Sequence, residues 1–124
     1  MSKIMIVDDD RSTVSLLTML LQMDGYHVVS ATPRASVLDE IRQERPDLVL
    51  LDVFLSDIEG TEVLKRIRED PVLEETRVVM ISGMELSEEC RAAGADAFLL
   101  KPYTPDQLAT TIRMNLPPAS VEGG

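Results

Sequence analysis

The sequence predicts one doubly wound α/β domain, a (βα)5 unit built on a five-stranded parallel sheet. Three observations predict it. Short apolar runs recur along the chain, segments of helical period lie between them, and glycine and proline punctuate the joins. A strand that is apolar at every position has both faces covered, as in a parallel sheet enclosed by helices.

Taken in order, the strand runs are Ile4-Met5-Ile6-Val7, His27-Val28-Val29-Ser30-Ala31, Leu48-Val49-Leu50-Leu51, Val78-Val79-Met80-Ile81 and Ala97-Phe98-Leu99-Leu100. The second is the more polar and reads as an edge strand. Helical spacing joins Val37, Leu38 and Ile41, then Val63, Leu64 and Ile67, then Leu108, Ile112 and Leu116. Gly25 closes the first helix, Pro46 precedes the third strand, Asp70-Pro71 follows the third helix, Gly94 follows the fourth and Pro105 opens the fifth. The domain is expected over residues 1–116, with 117–124, beginning Pro-Pro, as a flexible tail or linker stump.

A chain of 124 residues suffices for one core and is too short for two. With 44% hydrophobic and 27% charged residues, its composition is that of an ordinary soluble globular protein. No apolar run is long enough to span a bilayer, and the N-terminus lacks a signal-peptide layout, so a cytoplasmic location is expected. The lone Cys90 excludes an internal disulfide and reads as a small helical residue. A formal net charge of −10, without a basic cluster, argues against direct nucleic-acid binding.

The chemistry is expected where acid falls at strand ends, because ligands of open α/β sheets bind at the carboxyl edge near the reversal of strand order. The first strand runs into Asp8-Asp9-Asp10, the third into Asp52, the fourth into Ser82 and the fifth into Lys101-Pro102. Crowded carboxylates repel one another unless a hard cation such as Mg2+ relieves them. A carboxylate can attack phosphorus, a lysine can balance charge on the moving oxygens, and a serine hydroxyl can donate to the new phosphate. Together these residue types point to a divalent cation and a phosphoryl group.

Over roughly Lys3 to Leu116 the sequence resembles the receiver domain of two-component response regulators. The resemblance rests on Asp8 and Asp9 in IMIVDDD, Asp52 in LVLLDVFLSDIEG, Ser82 in VVMISG and Lys101 in GADAFLLKP. It implies a chemotaxis-regulator-like fold, with flavodoxin-like strand order 2-1-3-4-5. It implies Asp52 as phosphoacceptor, with Lys101 and Ser82 assisting, and Mg2+ held by Asp9, Asp52 and the backbone carbonyl of Phe54, Asp8 acting through water. Ser82 and Phe98 fall at the switch positions, and the lysine before Pro102 is often joined to it by a cis bond. The implied donor is a sensor histidine kinase or a histidine phosphotransfer protein. The module is then a switch rather than a turnover enzyme, and its downstream partner is not named by these residues.

The departures from the family pattern are specific. Ser56 stands where the loop after the phosphoacceptor usually has proline, which removes a stiffener but no catalytic group. Phe98 lacks a tyrosine's hydroxyl. The stretch from Ser82 to Lys101 is short by roughly three residues, about one turn of the fourth helix. Homodimer formation stays open, but the family's usual pairing through that face does not carry over. His27 reads as a surface residue, while Met19 and Met23 lie on a first helix that tends to be polar in the family.

Two alternatives stand beside this reading. Asp8-x-Asp10 also fits a haloacid-dehalogenase-like phosphatase with Asp8 as nucleophile, although Ser12 replaces the expected Thr or Val and no acidic pair follows Lys101. A phosphorylation-independent pseudo-receiver scaffold is the other, and the intact acidic set argues against it.

Overall fold

A computed structural model describes residues 1–31 and 36–117. The five strands are β1 (Lys3–Val7), β2 (His27–Ala31), β3 (Leu48–Asp52), β4 (Arg77–Ser82) and β5 (Ala97–Leu100). The helices are α1 (Arg11–Met23), α2 (Val37–Glu44), α3 (Gly60–Glu69), α4 (Ser87–Ala92) and α5 (Pro105–Asn115). Strand order is β2-β1-β3-β4-β5, with every pairing parallel. The polar second strand is an edge strand, as its composition predicts. Of the tail expected at 117–124, residues 118–124 lie outside the described residues.

Because side chains alternate across a sheet, each apolar strand feeds two cores. Ile4, Ile6, Leu48, Leu50, Val79, Ile81 and Leu99 pack on Leu17 and Leu21 of α1 and Leu108 and Ile112 of α5. Met5, Val7, Val49, Leu51, Val78 and Met80 pack on Val37 and Ile41 of α2, Val63, Leu64 and Ile67 of α3, and Cys90 of α4. Each fully buried Leu or Ile contributes about 1.5–3 kcal/mol, which holds the strands in register and their carboxyl ends in one row.

The ends of the helices follow local chemistry. Thr104 and Gln107 form a reciprocal capping box, with Pro105 in the first turn of α5. That helix stops at Asn115, and Leu116 is its extended cap rather than the further helical turn its spacing predicts. α1 ends at Met23 with Asp24 as cap, and Gly25 then turns left-handed at φ +92°. Among the described helices α4 is the shortest, with six residues. α1 also exposes Leu16, Met19 and Met23, which share one face at spacings of three and four.

Candidate functional site

Strand order reverses between β1 and β3, so the loops leaving these two strands flank the crevice of the sheet. The three consecutive aspartates after β1 have three different surroundings. Asp10 caps α1: its carboxylate accepts the Ser12 N–H at 3.1 Å and the Thr13 hydroxyl at 2.8 Å. Asp8 accepts the Asp10 N–H at 2.9 Å and faces Asp52. Asp9 is exposed and turns to Ser56, whose N–H donates to Asp9 Oδ2 at 2.9 Å and whose hydroxyl donates to the same oxygen.

Asp52 is buried at the end of the central strand. Its Oδ1 accepts the Phe54 N–H at 2.9 Å, and its Oδ2 lies 3.3 Å from Lys101 Nζ. The Lys101 side chain is 37% exposed, which leaves its ammonium free to reach a second anion. Phe54 also bridges Glu59, fixing the turn after Asp52. Lys101 is joined to Pro102 by a cis bond.

Ser82 is fully buried at the end of β4, one residue beyond the Asp52–Ile81 register pair. Its Oγ accepts the Met84 N–H at 2.9 Å, so its own proton remains available to donate. Phe98 is half-buried on β5 and packs against the core beneath α2, α3 and α4. His27 is exposed at the start of β2, at the opposite edge of the sheet from Asp52.

Electrostatics mark this edge as short of positive charge. Burial pushes the Asp8 carboxyl up to about 6; the Asp10 N–H opposes the shift, and the facing charge of Asp52 adds to it. The Ser56 hydroxyl, with its N–H, holds Asp9 below the ordinary carboxylate range. Asp8 and Asp52 together, beside one lysine, are hard oxygen donors that fit a divalent cation. Among the described residues, however, no three acidic side chains converge as a ready metal cluster, and Asp9 is bonded to Ser56 instead.

Three residues beyond the expected set shape the site. Ser56 was expected to do no more than loosen its loop, and instead it binds Asp9 across 47 positions of sequence. Gly60 opens α3 so close to β3 that a Cβ there would lie 2.1 Å from the Asp52 carbonyl oxygen, so only glycine fits without moving the Asp52 loop. Its place at the end of LVLLDVFLSDIEG was the available signal. Tyr103 is half-buried within reach of the charges of Lys101, Asp8 and Asp52, and burial pushes its phenol up. No local pattern marks that tyrosine as part of the site.

The comparisons with known proteins agree with this geometry. The family model for the response regulator receiver domain matches residues 4–113. The alkaline phosphatase synthesis transcriptional regulatory protein PhoP of Bacillus subtilis is 33% identical over 119 residues, covering 90% of this chain and 47% of that protein. Sporulation initiation phosphotransferase F of the same organism is 32% identical over 118 residues, covering 93% of this chain and 94% of that protein. The chain thus spans less than half of the first relative and nearly all of the second. The solved structure of the Vibrio cholerae chemotaxis protein CheY4 superposes with a TM-score of 0.86 at 28% identity, covering 94% of this chain and 99% of that one. With acid after β1, Asp52 at the end of β3 and Lys101 after β5 on that fold, the chain belongs to the response regulator receiver domain family of two-component signalling.

Proposed function

We propose that this domain is a phosphorylation-operated switch with Asp52 as its phosphoacceptor. Receiver domains are regulatory switches, and response regulators take their phosphate from histidine kinases or phosphotransfer proteins; here either would donate to Asp52. The observation that carries the reading is the setting of one carboxylate: Asp52 is buried at the central strand end, with Oδ1 fixed by the Phe54 N–H and Oδ2 beside Lys101.

In the transfer, an Asp52 oxygen forms the bond to phosphorus while the bond from phosphorus to the donor's imidazole nitrogen breaks. The electron pair of that bond leaves with the imidazole, and the product is an aspartyl phosphate. Lys101 offers its ammonium to the oxygens of the moving phosphoryl group. Receiver domains generally bind Mg2+ at the phosphorylation site, and here Asp8, Asp9, Asp52 and the Phe54 carbonyl would hold it. When bound, Mg2+ supplies positive charge against the phosphoryl oxygens. Ser82 then donates its free proton to the new phosphate and draws the Met84 backbone with it, and Phe98 fills the vacated space. The readout would be the face of α4, β5 and α5, where Leu99, Leu100, Pro102 and Thr111 line an open groove for a downstream protein. The reading carries with it a cytoplasmic location, where the phosphate donor is made.

Intact-mass measurement after incubation with acetyl phosphate and Mg2+ tests this. Wild type should gain one phosphate and Asp52→Asn none. A full adduct in Asp52→Asn would sink the reading, and an adduct lost only in Asp8→Asn would move the nucleophile to Asp8 and favour a phosphatase.

A further inference from the structure

We infer that Ser56 is a positioning residue that competes with the cation for Asp9, so that the third carboxylate of the acidic site is latched rather than ready. The inference rests on the cation-binding role proposed above for Asp8, Asp9 and Asp52.

Both donors of Ser56, its backbone N–H and its hydroxyl, converge on a single oxygen of Asp9. Residue 56 lies in the loop after β3 and Asp9 in the loop after β1, so the contact ties together the two loops that flank the crevice. Among the described residues no lysine or arginine pairs with Asp9, and Ser56 is the side chain bonded to it. Meanwhile Asp8 and Asp52 face each other, and no three acids among the described residues converge. Both bonds fall on Oδ2, so Oδ1 stays open to a cation, but swinging the whole carboxylate toward Asp8 and Asp52 stretches both bonds at once. A proline at this position, having neither N–H nor hydroxyl, could make neither bond. The same serine therefore frees the loop and restrains the ligand.

The consequence is a cation affinity set by the latch. Removing the Ser56 hydroxyl should tighten Mg2+ binding roughly tenfold, and removing both donors roughly a hundredfold, the lower end for two bonds to a charged acceptor. Ser56→Thr keeps both donors and should behave as wild type.

The test is a Mg2+ titration of the full chain followed by calorimetry and by the backbone amide signal of Phe54, for wild type, Ser56→Thr, Ser56→Ala and Ser56→Pro. The expected order is wild type and Ser56→Thr weakest, Ser56→Ala tighter and Ser56→Pro tightest. In an Asp9→Ala background, where neither the contact nor the ligand remains, the differences should vanish. Should Ser56→Pro fail to fold, Ser56→Ala against Ser56→Thr still decides the matter. Equal or weaker Mg2+ binding in Ser56→Ala overturns the latch while leaving the cation site intact. Absence of Mg2+ binding in every variant, or binding undiminished by Asp52→Asn, overturns the cation site and the latch together.

Discussion

At the amino ends of the strands, charge is matched. The Lys3 N–H donates to Asp47 at 2.7 Å and its ammonium reaches Glu44 at 3.2 Å. Arg42 lies 2.6 Å from Asp70, whose carboxyl is held below its ordinary range by the Val72 N–H and by that guanidinium. Arg68 joins four groups: Gly94 O at 2.9 Å, Glu74 O at 3.0 Å, Thr76 O at 2.7 Å and Asp96 Oδ2 at 2.8 Å. At the carboxyl ends, Asp8 faces Asp52 across a crevice with Lys101 as the near cation. One edge satisfies its polar groups and fastens loops to the sheet. The other keeps like charges together at a cost in stability, and that unmet demand for positive charge is what a cation and a phosphoryl group can use.

The largest effect that separates the edges is expected from Arg68→Ala. It strips hydrogen bonds from three backbone carbonyls and one carboxylate, and should cost about 2–3 kcal/mol, roughly 10 °C in Tm. Phosphorylation of Asp52 in the folded variant should be unchanged, since Arg68 sits at the far edge. Thermal melts paired with the mass assay check this, and a site variant that lost as much stability would erase the contrast.

A smaller effect of opposite sign is expected from Asp8→Asn. Asp8 binds its proton more tightly in the folded chain, at about 6 against an ordinary 3.8. Between these values the folded state carries the extra proton, so the contribution of Asp8 to stability falls as pH rises through the window. Above it, the half-buried charge opposes folding in full. Without Mg2+ at pH 7.5 the variant should gain about 1 kcal/mol, a figure discounted for the solvent that reaches this carboxylate. Its stability should also vary less than wild type from pH 4 to 6, and saturating Mg2+ should shrink or reverse its advantage. Denaturant melts across pH would contradict this if wild type and variant kept parallel profiles.

The smallest effect is expected at an exposed pair belonging to neither edge. Arg66 lies 3.4 Å from Glu62, one turn away on α3, with both side chains about half exposed. Arg66→Ala should change stability by less than about 0.5 kcal/mol. A larger loss in 0.15 M salt would mean that α3 depends on surface charge more than its buried Val63, Leu64 and Ile67 suggest.

Much of this protein was legible from its residues in order. Continuous apolar runs specify buried parallel strands because burial on both faces leaves no polar position, and the polar His27–Ala31 run marks an edge for the same reason. Once the strands are parallel, residues just past their ends meet at one edge, so Asp8, Asp52, Ser82 and Lys101 could be grouped before their distances were known. The direction of each side chain in the loops could not. Periodicity ends where regular structure ends, so three identical aspartates in a row gave no sign that Asp10 would cap a helix, Asp8 would face Asp52 and Asp9 would turn to Ser56. Asp10 finds its partners two and three residues on, but Asp8 and Asp9 are settled by partners 44 and 47 positions away that only the folded chain brings near, and by Gly60, whose missing side chain lets α3 begin against the backbone of Asp52. Local pattern determined the sheet and the edge at which chemistry gathers. Long-range contact decided which carboxylate is buried, which is exposed and which is held.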